Sequence, residues 1–291
     1  MGDLRIGISG WRYDAWRGTF YPKKLAQRRE LEYASRQLNS IEINGTFYSL
    51  QTPESYRRWA AETPDDFVFA VKGPKYISHR KQLKDVRIPL ANFFASGIFL
   101  LGKKLGPILW QFPQWERFEK ERFSDFLELL PKSTADAAKL AAENTIKKQD
   151  RVWIEPLENQ KLRYAFEPRH ESFFVPEFIK LLRRNNAALV FADMAHKWPT
   201  SEDVTADFVY IRLHGAEELY ASGYDDKQLD YWAKRIRSWR RGTGPANAHV
   251  VAKKRADRKS GRHIYVYFDN TDKIHAPRDA IRLAKSLSEP N

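Results

Sequence analysis

Within four residues, Glu167-Pro168-Arg169-His170 brings together a carboxylate, a guanidinium and an imidazole. Such a cluster can polarise a substrate, hold an anion or move a proton. Similar polar groups stand elsewhere at the ends of short apolar runs. Glu42 and Asn44 flank Ile43, Lys72 follows Val71, and Gln111 follows Trp110. Arg212 and His214 bracket Leu213, Asp193 follows Ala192, and Asp269 and Asn270 follow Phe268. Residues two apart on a strand share a face. The spacing therefore aims Glu42 with Asn44, and Arg212 with His214, away from the apolar layer, where burying a charge is costly. Alternation leaves Asp269 and Asn270 on opposite faces, so one of them points away.

These residues could do three kinds of chemistry. Glu42 or Glu167 can serve as general acid/base, with Lys72, Arg169 and Arg212 holding an anion and His170 or His214 orienting a group or shuttling a proton. Glu167, Asp193, His214 and Asp269 end four successive apolar runs, and carboxylates plus one imidazole suit a divalent metal. No H-x-H or H-E-x-x-H spacing supports that set, so no cofactor is assigned. Glu42 with Glu167 also has the residue types of a glycosidase pair. The alternative to all three is an internal ion-pair network of Lys72 and Arg212 with Glu42, Glu167 and Asp193, although such pairs often add little over apolar packing. No nucleophile elbow, Walker loop or dinucleotide fingerprint is present. Ser9, in Gly7-Ile8-Ser9-Gly10-Trp11, reads as part of a tight turn rather than as a nucleophile. Trp11, Tyr13, Trp16, Phe20, Tyr21, Phe47 and Tyr48 crowd the first two such loops, where they can stack on a ring or roof the core. Trp11 and Tyr48 are the candidates for substrate contact.

The elements that must position these groups are eight apolar runs: Leu4–Ile8, Ser40–Ile43, Phe67–Val71, Pro107–Trp110, Arg163–Phe166, Ala188–Ala192, Phe208–Leu213 and Ile264–Phe268. Helical stripes lie between them: Leu31/Ala34/Leu38, Tyr56/Trp59/Ala60, Phe94/Ile98/Leu101, Phe123/Phe126/Leu127/Leu130, Phe178/Leu181/Leu182 after Pro176, Leu229/Trp232/Ile236/Trp239 and Ala280/Leu283/Ala284/Leu287. Eight strands alternating with helices predict a single α/β domain over 1–291, a (β/α)8 TIM barrel, with the polar strand ends gathered at its carboxyl-terminal mouth. Two stretches break the rhythm. Pro131–Lys161 holds an Ala-rich helix over Thr134–Thr145 and then polar loop, and about 241–262 is a basic loop insertion.

Composition narrows the choice. The chain has 291 residues, 42% apolar, with nine Trp and no Cys. The lack of Cys excludes disulfides, thiolate catalysis and Cys-ligated metal centres. With no signal layout and no membrane-length apolar run, a cytoplasmic protein without membrane contact is expected. The net charge of +13 points to an anionic small molecule or nucleic acid as partner, or else to a solubilising surface. The most conspicuous basic residues (Arg240, Arg241, Lys253, Lys254, Arg255, Arg258, Lys259 and Arg262) join a helix to the next strand. They should therefore leave from the amino-terminal face, opposite the expected site.

The same residues carry a family resemblance. Gly7–Pro22 reads G-I-S-G-W-R-Y-D-A-W-R-G-T-F-Y-P, followed by E-I-N-G-T-F-Y (Glu42–Tyr48), T-P-D-D-F-V-F-A-V-K (Thr63–Lys72) and His79. Then come L-G-P-I-L-W-Q-F-P (Leu105–Pro113), F-E-P-R-H-E-S-F (Phe166–Phe173), Y-I-R-L-H-G (Tyr210–Gly215) and Y-V-Y-F-D-N (Tyr265–Asn270). Together these resemble the YecE-like barrels, domain of unknown function 72, over nearly the whole chain. The resemblance implies a TIM barrel and a shared residue set of Glu42, Asn44, Lys72, Gln111, Glu167, Arg169, His170, Arg212, His214 and Asn270. It supplies no reaction, and by its standard Asn247–Arg262 is long. Two functions are carried forward. One is an enzyme, a hydrolase or isomerase, acting on a phosphate- or sugar-bearing substrate. The other is a nucleic-acid-binding barrel, endonuclease-like or without catalysis.

Overall fold

The computed structural model describes residues 1–195, 197–215, 222–253, 257–270 and 274–288. Lys254 and Arg255 of the basic stretch lie outside the described residues.

All eight predicted runs are strands: β1 (Leu4–Ser9), β2 (Ser40–Ile43), β3 (Val68–Lys72), β4 (Leu105–Gln111), β5 (Tyr164–Glu167), β6 (Ala188–Asp193), β7 (Phe208–Leu213) and β8 (His263–Phe268). They hydrogen-bond in chain order as a closed barrel, and the paired strands are parallel. The fold is the expected TIM barrel. Both faces of a barrel strand are covered, so near-continuous apolar runs are what such strands need. The polar residues sit at the carboxyl ends, where the packed interior gives way to the loops that follow the strands.

The chain divides into two compact units, 1–41 with 174–291 and 42–173. The second unit carries α2 (Gly45–Tyr48), α3 (Pro53–Glu62), α4 (Arg87–Ala95), α5 (Lys120–Leu129) and α6 (Thr134–Ala141). The Thr52 hydroxyl caps α3 by accepting from Ser55 N, and Ser133 caps α6 from Asp136 N. The stripe Phe94/Ile98/Leu101 predicts one helix, but the chain breaks there. Gly97 turns at φ 103° after α4, and a 3-10 turn follows over Ile98–Lys104. A left-handed residue ends the helix while all three apolar side chains stay buried, so the burial is kept without the continuity. The Ala-rich helix likewise stops at Ala141, short of Thr145.

The first unit carries α1 (Glu30–Gln37), α7 (Pro176–Arg184), α8 (Asp226–Arg240) and α9 (Ala276–Ser288). Pro176 opens α7 as expected, and Asp225 with Gln228 forms a capping box on α8. Among the described residues no helix connects β6 to β7. The basic segment meets the amino ends of strands in this unit. Arg262 donates to the carbonyls of Gly242 and Thr243, and Arg240 donates to the carbonyl of Gly2, just before β1. The buried carboxylate of Asp203 accepts from the amides of Val251 and Ala252 at 2.7 and 3.3 Å. Much of the stretch is therefore pinned by its backbone, with buried acids taking amide hydrogens.

Candidate functional site

In the unit 42–173 the carboxyl ends of β3, β4 and β5 present a compact set of charges. Gln111 and Glu167 close β4 and β5 in register with one another, and both are buried. Arg169, two residues on, donates its Nε and one terminal nitrogen to Glu167 Oε1 at 3.1 and 3.0 Å. The turn that carries Arg169 is fixed from below. His170 Nδ1 accepts from the Ser172 amide at 3.1 Å, and the Ser172 hydroxyl accepts from Phe118 N at 2.9 Å. Phe173 is buried against Phe112, Phe118 and Phe123. His170 is thus a turn fastener at Nδ1, which makes that nitrogen an acceptor and puts the ring hydrogen on Nε2 when the ring is neutral.

Lys72 ends β3 and is 8% exposed, with its ammonium 4.2 Å from the centroid of the Phe47 ring. Its backbone is held by the Thr46 hydroxyl, which donates to the Lys72 carbonyl at 2.5 Å. The next residue must be glycine, because a Cβ at Gly73 would meet the Trp110 ring at 2.4 Å. His79 stands edge-on to Phe47 at 5.1 Å and edge-on to Trp115 at 6.3 Å. It lies on a single π-turn, Tyr76–Arg80, a geometry that re-aims side chains and is common at functional sites. Burial pulls the His79 imidazole down to about 4, and the charges of Lys72, Arg169 and Lys75 push it the same way, against Glu167. Three cations and one carboxylate thus act on a single imidazole that stays neutral at ordinary pH.

Glu42 is buried at the end of β2. Asn44 lies one residue past β2, immediately ahead of α2. Tyr48 is 70% exposed, with the Lys75 ammonium 5.0 Å from its ring centroid. Beside it lies a groove of about 840 Å³.

In the other unit, Arg212 is fully buried. It donates to Asp269 Oδ2 at 2.8 Å and to the Ser9 hydroxyl at 3.2 Å. His214 Nε2 is 3.4 Å from Arg212, and His214 Nδ1 is 3.4 Å from Asp269 Oδ2. A guanidinium can only donate, so Nε2 accepts and the ring hydrogen sits on Nδ1, facing the carboxylate. Asn270 points the other way. Its amide donates to Asp279 Oδ2 on α9 at 3.0 Å, and burial raises the Asp279 carboxyl. Asp193 accepts from the Tyr224 hydroxyl and the Trp232 indole, both at 3.2 Å. Trp11 is buried, and its carbonyl accepts from the Tyr21 hydroxyl at 2.6 Å. Trp16 and Tyr21 pack inward in the same loop, roofing the core.

Among the described residues, no three His, Asp or Glu side chains stand together as a set that could hold a metal. Of the four candidate ligands, Asp193 is taken up by Tyr224 and Trp232, Glu167 by Arg169, and His214 and Asp269 by Arg212. Arg169 is held on one oxygen of Glu167 and Arg212 on one oxygen of Asp269.

Sequence reasoning names Lys72, Gln111, Glu167 and Arg169, and the structure collects them at neighbouring strand ends. It names His79 only through the family resemblance and overlooks Trp115, Lys75 and Tyr76. The π-turn that brings His79 in has no sequence signature.

The family described as "Protein of unknown function DUF72" matches residues 5–291. The chain is 28% identical over 123 residues to UPF0759 protein YunF of Bacillus subtilis, a match covering 40% of this chain and 43% of that protein. It is 33% identical over 110 residues to UPF0759 protein YecE of Escherichia coli K12, covering 38% of each. These matches span about two fifths of those relatives. Among solved structures, a DUF72 family protein from Thermotoga maritima superposes with TM-score 0.72 at 23% identity, covering 99% of this chain and all of that one. A second, from Enterococcus faecalis, gives 0.69 at 19% identity, covering 99% and 96%. At these identities the likeness speaks to fold.

Proposed function

The chain belongs to the DUF72 family, and from that premise we propose that it is an enzyme acting on a phosphate-bearing substrate at the carboxyl ends of β3, β4 and β5. The observation that carries this reading is the placing of Lys72 at the end of β3 and of the Arg169–Glu167 pair just beyond β5, with the charges of both acting on His79. Lys72 and Arg169 neutralise the phosphate, Arg169 through the planar fork that Glu167 orients at 3.0–3.1 Å. Glu167 is the group placed to take a proton from a water or a substrate hydroxyl. A phosphate competing for Arg169 would loosen its pairing with Glu167 as it binds. His79 remains neutral, so it offers a hydrogen bond without adding charge. Among the described residues no helix is long and apolar enough to cross a membrane.

A bare sugar fits less well, because it carries no charge for Lys72 and Arg169 to bind. The test is calorimetric titration with ribose 5-phosphate and with ribose, followed by turnover assays on phosphomonoesters. Ribose 5-phosphate should bind and ribose should not. Equal binding of the two, or binding of neither, contradicts the reading.

A further inference from the structure

The groove beside the proposed site is lined by Phe47, Tyr48, Lys75, Tyr76, Arg80 and Lys81 among others, and holds about 840 Å³. That is the size of a small-molecule site. Its character is set by two rings and three cations. Tyr48 is 70% exposed and Tyr76 is 47% exposed, an unusual state for two large aromatic side chains lining one groove. The Lys75 ammonium lies over the Tyr48 ring, 5.0 Å from its centroid, which adds positive charge beside that aromatic surface. Against Lys75, Arg80 and Lys81 the lining offers a single carboxylate, Asp85. The wall behind is polar but self-satisfied, since Asn92 Oδ1 accepts from Thr145 N at 2.8 Å.

Two links tie this groove to the phosphate site. Phe47 lines the groove and also carries the Lys72 ammonium on its ring. The π-turn Tyr76–Arg80 puts Tyr76 and Arg80 into the groove and His79 against Phe47. A ligand held by its phosphate at Lys72 and Arg169 therefore has, within the same unit, a cationic aromatic groove into which the rest of it can extend.

We propose that the substrate is a nucleoside phosphate, its base stacked on Tyr48 and Tyr76 while its phosphate lies between Lys72 and Arg169. This rests on the phosphate reading above and narrows it. A sugar phosphate would use the cations but leave both tyrosines idle. Stacking on an aromatic side chain tolerates any base, so the site selects for a planar ring more than for its hydrogen-bonding edge.

The experiment is calorimetric titration of the full-length protein with AMP, ribose 5-phosphate and the oligonucleotide (dT)10. Wild type, Tyr48→Ala and Lys72→Met are compared; Tyr48 is exposed, so its removal leaves the fold alone. AMP should bind about ten-fold or more tighter than ribose 5-phosphate, the range expected of one stacked base. Tyr48→Ala should abolish that margin without changing ribose 5-phosphate affinity, and Lys72→Met should weaken both. Equal affinity for AMP and ribose 5-phosphate in wild type overturns the nucleoside inference and leaves the phosphate reading standing. Binding of neither overturns both. Binding of (dT)10 alone, lost in Tyr48→Ala, shows that the groove takes a nucleic-acid strand and also overturns the inference.

Discussion

Lys72 holds its ammonium 4.2 Å above the ring of Phe47, in a position where Lys72 itself is 8% exposed. A nearly buried lysine needs a partner for its charge, and the ring face is one that an incoming anion does not have to displace. The pairing helps to keep a cation at the end of β3.

Replacing Phe47 with Leu keeps apolar volume and removes the ring face. The variant should lose about 1–2 kcal/mol of stability by urea denaturation, counting the lost cation–π and edge contacts. Its affinity for ribose 5-phosphate should fall with it, because the ammonium is no longer held in place.

His79 gives a pH signature. Its folded value of about 4 lies below the ordinary 6.5. Between those values the unfolded chain binds the proton and the native protein does not. The contribution of His79 to stability is thus complete above about 6.5 and declines as pH falls toward 4. Denaturant midpoints for wild type should fall over that window more steeply than for His79→Gln. An NMR titration should also show the imidazole pKa rising when inorganic phosphate is present, because the anion offsets the cations that push it down.

Arg212 depends on Asp269 in a different way. The guanidinium is fully buried, and Asp269 Oδ2 accepts from it at 2.8 Å. Asp269→Asn strands the charge and should cost about 3–5 kcal/mol in chemical denaturation. The double variant Arg212→Met/Asp269→Asn should recover part of that loss, since no charge then remains unpaired. Additive losses in the double variant would contradict the pairing.

The strand ends were readable because one physical requirement sets them all. A strand packed on both faces is apolar until it leaves the barrel, so polar residues mark the exits. Gln111 and Glu167 illustrate this, ending adjacent strands in register. Side-chain direction beyond the strand was not readable. Asn44 lies past the end of β2, so strand alternation alone does not fix its surroundings. Asn270 sits one residue beyond Asp269 and turns to Asp279 on α9, a partner nine residues along that only the fold supplies. The basic stretch shows the opposite error that composition invites. Its arginines draw attention, yet Arg240 and Arg262 are spent on backbone carbonyls.

That pinning can be tested directly. Asp203 accepts amide hydrogens from Val251 and Ala252 and is fully buried. Asp203→Ala should speed tryptic cleavage near Lys253 by at least several-fold. Affinity for ribose 5-phosphate should stay unchanged, because the segment takes no part in the phosphate site.

The central claim is that Lys72, Arg169 and Glu167 form a phosphate site with Glu167 as its base. The most direct measurement is steady-state turnover of a phosphomonoester by wild type, Glu167→Gln and Lys72→Met, with phosphate-ester binding followed in parallel. Glu167→Gln should lower kcat by about 10²-fold or more while ribose 5-phosphate still binds. Lys72→Met should act mainly on binding. Turnover by Glu167→Gln at the wild-type rate, or phosphate binding indifferent to Lys72, would contradict the account.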